Sequence, residues 1–254
     1  MSTIHIDTNA LNSLLEANLE TFELFESLLA EENKKYNLTR ISSSAQVRTR
    51  HFLDSMAALP ILDIIVESHK KPLRILDAGS GAGFPGLVLA VVRPEWSFVS
   101  LEATEKKVFF QKKICDALKL KNVQIIHGRA EQFASQKAFR ETFDIVTARA
   151  LADMSVLAEL TLGFLRKNGM ALFWKGPSVE DELTRADKAI RKMGASTDQI
   201  VPYTLVSEDN QPVDFSLIIC RKVRSTPDHF PRAFGLIKKH PLGNSAKKQD
   251  QSIP

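Results

Sequence analysis

Leu11, Leu15, Leu19, Phe22, Phe25 and Leu29 recur at intervals of three and four residues, the spacing that aligns one stripe along an α-helix. The pattern predicts an amphipathic helix ending near Glu32, its apolar stripe packed on a larger body. A polar turn at Asn37, Leu38 and Thr39 follows. A second helical stretch then runs from about Ala45 to Leu62 with Phe52, Met56 and Leu59 on one side. Pro60 leaves its end open, because proline lacks the N–H that a helix interior needs.

From Leu73 the pattern changes to short β-rich runs separated by helical lengths. Arg74 to Ala78, Ser97 to Glu102, Val123 to His127, Phe143 to Thr147 and Met170 to Trp174 read as parallel strands. Helical segments lie between them at Gly86 to Val92, Lys106 to Leu118, Asp153 to Leu165 and Val179 to Met193. The stretch from Arg129 to Thr142 leaves room for only a turn or two of helix. At the end, Gln199 to Val206 and Val213 to Val223 both read as extended with only Ser207 to Pro212 between them, which predicts an antiparallel pair. The fold expected is a doubly wound, seven-stranded, mostly parallel α/β sheet. Residues 1–70 form a helical extension packed on a core at 71–224, and residues 225–254 form a basic tail.

A chain of 254 residues with 44% hydrophobic and 25% charged content has the composition of an ordinary globular domain and can bury roughly three quarters of its unfolded surface. Cys115 and Cys220 stand far apart with no Cys or His grouping near them, against a disulfide framework or a zinc site. No metal is expected. The longest apolar run, Gly86 to Val92, is far short of a membrane span, and no basic region followed by an apolar stretch opens the sequence. A cytoplasmic location and no membrane partner are expected. The net charge of +4 is concentrated at one end: from Arg221 onward eight of the 34 bases face two of the 30 acids, leaving 26 bases against 28 acids elsewhere. A basic tail suits a nucleic-acid backbone, since each neutralised phosphate releases counterions; a solvated terminus is the alternative.

The strongest local signal is Leu76-Asp77-Ala78-Gly79-Ser80-Gly81-Ala82-Gly83-Phe84-Pro85-Gly86, which leaves a predicted strand and enters a predicted helix. Without Cβ atoms, Gly79, Gly81 and Gly83 can take positive φ and let a ligand lie against the backbone, while Pro85 suits a first helical turn. The same residues satisfy the G-x-G-x-x-G pattern of dinucleotide enzymes, with Glu102 at the next strand's end as the ribose-binding acid. Two features favour S-adenosylmethionine instead. Asp77 ahead of the first glycine supplies negative charge that a sulfonium and an ammonium want and a pyrophosphate does not, and the terminal hairpin replaces another crossover helix. Glu102 can accept two hydrogen bonds from ribose hydroxyls, and Gly128-Arg129-Ala130-Glu131 lies where an adenine edge would be read.

In this order the motifs resemble the small-subunit (16S) ribosomal RNA guanine-N7 methyltransferases, the glucose-inhibited division protein B family. The resemblance rests on Asn37-Leu38-Thr39, His51-Phe52-Leu53-Asp54-Ser55, Asp77 to Gly86, Gly128 to Glu131, Phe143-Asp144, Ala148-Arg149-Ala150 and Lys175-Gly176, with Phe230-Pro231-Arg232 and Lys239-His240-Pro241-Leu242 in the tail. One departure stands out: Phe234-Gly235-Leu236-Ile237 occupies the place of a common Pro-Gly-x-Pro segment. The resemblance implies the class I methyltransferase fold, S-adenosylmethionine as cofactor, cofactor contacts on Gly79, Phe84, Ala130, Glu131 and Arg149, and methylation of N7 of a guanine. Its partner would be small-subunit ribosomal RNA, the small ribosomal subunit or an assembly intermediate, met by a monomer.

N7 of guanine carries an unprotonated lone pair, so no general base is required; positioning N7 about 3 to 3.5 Å from the methyl would carry the catalysis. Arg149 and Lys175 are the positioning candidates. Asn37, His51, Arg149 and Lys175 are candidates to contact the base, although His51 reads equally as a satisfied histidine beside Asp54. Arg221, Lys222, Arg224, Arg232, Lys238 and Lys239 are candidates to hold phosphates. Ribose 2′-oxygen transfer, which uses a Lys-Asp-Lys-Glu group, is the nearest competitor through Lys175 and Asp153. A nicotinamide oxidoreductase and a non-catalytic RNA-binding factor are more distant ones.

Overall fold

The computed structural model describes residues 6–41, 43–206 and 211–243. The expected first helix is two. Helix α1 (Thr8–Ala17) starts at Asp7, whose carboxylate accepts from the N–H groups of Asn9 and Ala10, a standard N-cap. The chain bends at Asn18, and α2 (Leu19–Tyr36) runs on past Glu32 to Asn37, which closes it in the left-handed region at φ 50°, a conformation asparagine tolerates better than most residues.

The second helical stretch is also broken. Helix α3 (Ser44–Val47) passes into a π-helical turn at Arg48–Leu53, then into α4 (Asp54–Met56), and α5 (Leu59–His69) begins afresh. Pro60 opens α5 rather than ending its predecessor, because a missing N–H costs nothing in a first turn.

The parallel strands β1 (Arg74–Ala78), β2 (Ser97–Glu102), β3 (Val123–His127), β4 (Phe143–Arg149) and β5 (Leu165–Lys175) alternate with α6 (Gly86–Val92), α7 (Glu105–Ala117), α8 (Ala130–Phe133) and α9 (Met154–Thr161). Helix α10 (Glu180–Lys192) precedes the antiparallel hairpin of β6 (Ala195–Val206) and β7 (Pro212–Lys222), and α11 (Phe234–Lys239) lies beyond it. Apart from Gln211 and Pro212, the expected hairpin turn lies outside the described residues, as do Lys247 and Lys248 of the tail. The sheet order is β3-β2-β1-β4-β5-β7-β6, with only β7 antiparallel to its neighbours, so the expected seven-stranded, doubly wound, mostly parallel α/β sheet is the observed fold.

Strand residues alternate between two hydrophobic clusters, as period-two side chains must. Ile75, Ile145, Leu172, Leu217 and Ile219 face a layer that holds Phe22, Phe25, Phe52 and Leu87, so α1 to α7 cover that side together. Leu76, Val146, Ala171, Phe173, Ile218 and Cys220 face α9, α10 and, from the C-terminal segment, Phe230 and Leu242. Because β1 and β4 start crossovers to opposite sides of the sheet, a crevice opens at their C-terminal ends, where doubly wound folds bind ligands.

Candidate functional site

Gly79, Gly81 and Gly83 have φ of 65°, 61° and 96°, so the bend after β1 takes the conformation that the glycine spacing predicts. The Gly79 N–H donates to the Leu101 carbonyl (2.8 Å) and the Gly81 N–H to Glu102 Oε2 (2.8 Å). A Cβ on Gly79 would stand 2.4 Å from Leu151 Cδ1. Beneath the bend, the buried side chains of Ser80, Ser100 and Gln111 form a closed polar cluster. Ser100 Oγ donates to Gln111 Oε1 (2.5 Å), and Gln111 Nε2 donates to Ser80 Oγ and to the Gly81 carbonyl (both 2.8 Å). Sequence reasoning missed Ser100 and Gln111; their signal was a polar residue on an otherwise apolar strand and helix face.

The bend borders a cavity of about 240 Å³ lined by Gly79, Glu102, Gly128, Ala130, Glu131 and Leu151, with Arg129 and Phe234 at its wall. Of the expected cofactor residues, Gly79, Glu102, Ala130 and Glu131 meet here. Glu102 spends one oxygen on Gly81 and the other on the Thr104 N–H (2.8 Å), and an ionised carboxylate has room for about four hydrogen bonds in all. The Arg129 guanidinium donates to Glu131 Oε1 (2.8 Å) and lies over the Phe234 ring at 4.2 Å.

Asp77 does something other than face the cavity. Its carboxylate is 1% exposed and accepts from the Gly86 N–H (2.9 Å) and the Thr147 hydroxyl (3.0 Å), tying β1 to the start of α6 and to β4. Burial pushes its carboxyl up to about 6, against the lowering effect of those two hydrogen bonds. Phe84 is likewise drawn inward. Its ring is stacked between Phe25 (5.4 Å) and His51 (4.2 Å), so its side chain plugs the core instead of lining the cavity.

A second cleft, about 520 Å³, adjoins the first and is lined by Arg50, His51, Asp54, Arg149, Ala150, Lys175 and neighbours from β7. Arg149 lies at its centre. One guanidinium nitrogen donates to Asp54 Oδ2 and to the Arg50 carbonyl (both 2.8 Å), the other to His51 Nδ1 (3.0 Å). Arginine always donates, so His51 Nδ1 carries the lone pair and the Nε2–H points to Thr39 Oγ1 at 3.0 Å. Burial, then the Arg149 charge, lowers the imidazole to about 3, leaving it neutral. The bland reading of His51 is therefore the observed one, with Arg149 and Thr39 rather than Asp54 as partners. Asp54 is completed by the Tyr203 hydroxyl (2.5 Å), and its carbonyl takes the Trp174 indole N–H (2.7 Å).

Lys175 reaches the cleft, but its ammonium is held by Glu182 (2.6 Å) and the Ala152 carbonyl (2.8 Å). Asn37 does not reach it: it is the exposed cap of α2. Arg50, missed from the sequence, is exposed in the cleft wall and makes no ion pair among the described residues. Its signal lay only in its place beside His51.

The expected phosphate-binding bases divide. Lys222 is fully buried, donating to the Leu162 carbonyl (2.6 Å) and to Thr226 Oγ1 (2.5 Å) with Glu141 at 3.4 Å. Desolvation lowers it to about 8. Arg232 makes a two-pronged ion pair with fully buried Glu159 (2.8 and 2.6 Å). Arg221 pairs with Asp198 and Arg224 with the Arg191 carbonyl. These four are internal contacts because each has a local acceptor; of the six, only Lys238 and Lys239 are exposed without one among the described residues.

Among the described residues no group of His, Cys, Asp and Glu side chains could hold a metal, and no helix is long and apolar enough to cross a membrane. The family described as rRNA small subunit methyltransferase G (GidB) matches residues 18–211. The chain belongs to this family. Proteins named ribosomal RNA small subunit methyltransferase G are similar to it over almost their whole length. That of Streptococcus suis (strain 05ZYH33) is 38% identical over 90% of this chain and 93% of its own. That of Lactococcus lactis subsp. cremoris (strain MG1363) is 39% identical with the same coverage, and that of Bacillus velezensis (strain DSM 23117 / BGSC 10A6 / LMG 26770 / FZB42) 37% over 91% and 93%. The span matched to the methyltransferase G family takes in the glycine bend, Glu131 and Arg149.

Proposed function

We propose that the chain transfers the methyl group of S-adenosylmethionine to N7 of a guanine in small-subunit (16S) ribosomal RNA. The observation that carries the reading is the pairing of two cavities across one loop: an acid-lined cavity bordered by a glycine bend, and a cleft lined by Arg50, Arg149 and Lys175, with Ala150 lining the cleft and Leu151 the cavity. The cofactor fits the first by chemistry. Its bend closes against Leu151 where any Cβ would stand, Glu102 would offer acceptors to ribose hydroxyls, and Ala130 and Glu131 would hold the purine edge. When bound there, S-adenosylmethionine supplies an electrophilic methyl group.

The cleft suits a nucleophile that brings its own lone pair. His51 has both ring nitrogens engaged, and Asp54 has both oxygens engaged, so neither is poised to take a proton. Arg149, fixed by three acceptors, can only orient a base and favour its π-face or its O6 and N7 edge. A ribose hydroxyl would need deprotonation; Lys175 is tied to Glu182, Asp153 caps α9 through the Ser155 N–H (3.0 Å), and no second lysine lines the cleft among the described residues. The substrate is small-subunit RNA, alone or in a subunit or assembly intermediate. We take the enzyme to act as a monomer in the cytoplasm.

Incubation of radiolabelled S-adenosylmethionine with unmethylated small subunits, or with their deproteinised RNA, tests this directly. Label is expected at a site cut by chemistry selective for N7-methylguanine. Label on ribose or on protein would refute the assignment.

A further inference from the structure

The C-terminal segment reads in the sequence as an arm for phosphates, yet residues 225–243 are strapped to the core. Arg140 donates to the carbonyls of Thr226 (2.7 Å), Pro227 (3.1 Å) and Phe230 (2.8 Å). Arg232 is locked on Glu159, a carboxylate with no exposure at all, and Phe230 and Ile237 are buried. From these anchors the segment delivers one side chain to the cofactor cavity, the half-buried ring of Phe234.

We propose that Phe234 is a positioning residue that sets the purine specificity of that cavity by holding Arg129, and through it Glu131. This rests on the reading of the cavity as the S-adenosylmethionine site. The Arg129 side chain is 45% exposed, and its planar fork takes a fixed orientation only from the partners it touches. Here its guanidinium is stacked on the Phe234 ring at 4.2 Å while its Nε bonds Glu131 Oε1 at 2.8 Å, so ring, guanidinium and carboxylate form one chain of fixed geometry. The Glu131 side chain, only 11% exposed, lines the cavity and is tethered by that bond. A carboxylate only accepts, so it bonds the exocyclic amine of adenine and repels the carbonyl oxygen of a 6-oxopurine.

The test compares S-adenosylhomocysteine with S-inosylhomocysteine by calorimetry on the full chain, alongside steady-state kinetics. Wild type is expected to prefer the adenine compound by about a hundredfold or more. Phe234→Ala should cut that preference about tenfold, about 1.4 kcal/mol, and raise KM for S-adenosylmethionine, with kcat at saturation and KM for RNA unchanged. Phe234→Tyr should restore the wild-type ratio, and Arg129→Lys, which keeps the charge and removes the stacking plane, should reproduce the loss even if the alanine variant does not fold. An unchanged purine ratio in Phe234→Ala and Arg129→Lys, with wild type binding normally, would overturn the inference alone. Failure of wild type to bind either nucleoside would overturn the cofactor site on which it rests.

Discussion

Asp77→Asn separates the structural from the electrostatic role of the acid that opens the glycine bend. The carboxyl titrates at about 6 in the fold against 3.8 in its ordinary setting. At about 1.36 kcal/mol per pH unit, keeping it ionised at pH 7 costs about 3 kcal/mol of folding free energy. The sign follows from which state holds the proton more tightly. With the native value raised, both states are protonated below pH 3.8 and the penalty is absent; it develops as pH rises from 3.8 through about 6 and is complete above that. Asparagine can keep both hydrogen bonds, its amide oxygen accepting from Gly86 N–H and its amide nitrogen donating to Thr147 Oγ1, whose proton then turns to the Leu76 carbonyl 3.5 Å away. Urea unfolding of wild type and Asp77→Asn in parallel from pH 4 to pH 8 cancels every other titration. The asparagine protein should gain on wild type by up to about 3 kcal/mol across that range, with the gain concentrated between about pH 4 and 6.5. A stability difference that stays flat with pH would show that Asp77 titrates as an ordinary carboxyl and would refute the reasoning. Asp77→Ala, which strands the buried Gly86 N–H, should lose about 1 to 3 kcal/mol relative to the asparagine protein.

Gly79→Val places a β-branched side chain at φ 65° and within 2.4 Å of Leu151; it should abolish the rise in melting temperature produced by S-adenosylhomocysteine while the far-UV spectrum stays that of the wild type. Arg232→Ala leaves fully buried Glu159 without its cation, so chemical denaturation should show a loss of about 3 to 5 kcal/mol. Replacing exposed Lys238 and Lys239 should leave stability alone and reduce the salt slope of RNA binding by about 0.7 for each phosphate no longer neutralised, a contrast that a plot of binding against salt concentration reads directly.

The core strands were legible because parallel strands buried on both faces stand out as short β-rich runs between helical lengths: β1, β2 and β3 begin and end where the runs from Arg74, Ser97 and Val123 predict. The glycine bend was legible because its requirement is local, a positive φ at three nearby positions. What depended on distant partners was not. Nothing near Arg232 announces Glu159, 73 residues earlier, and nothing near Lys222 announces Glu141, so both read as free charge. Phe84 has the local setting of a cofactor platform, and only the fold brings Phe25 and His51 onto its two faces. The breaks at Asn18 and at Arg48–Leu53 escape a reading of periodicity because the apolar stripe continues across them, and the stripe carries no record of the backbone hydrogen bonds.

The loop after β4 places Ala150, in the left-handed region at φ 54°, on one side and Leu151 on the other. On the proposed reading, a shared partition of that kind would make the two chambers thermodynamically conjugate. A guest that settles the loop from one side spares the other guest that ordering cost, and the benefit must be equal in both directions. RNA that tightens the hold on the methyl donor is itself held tighter by the donor.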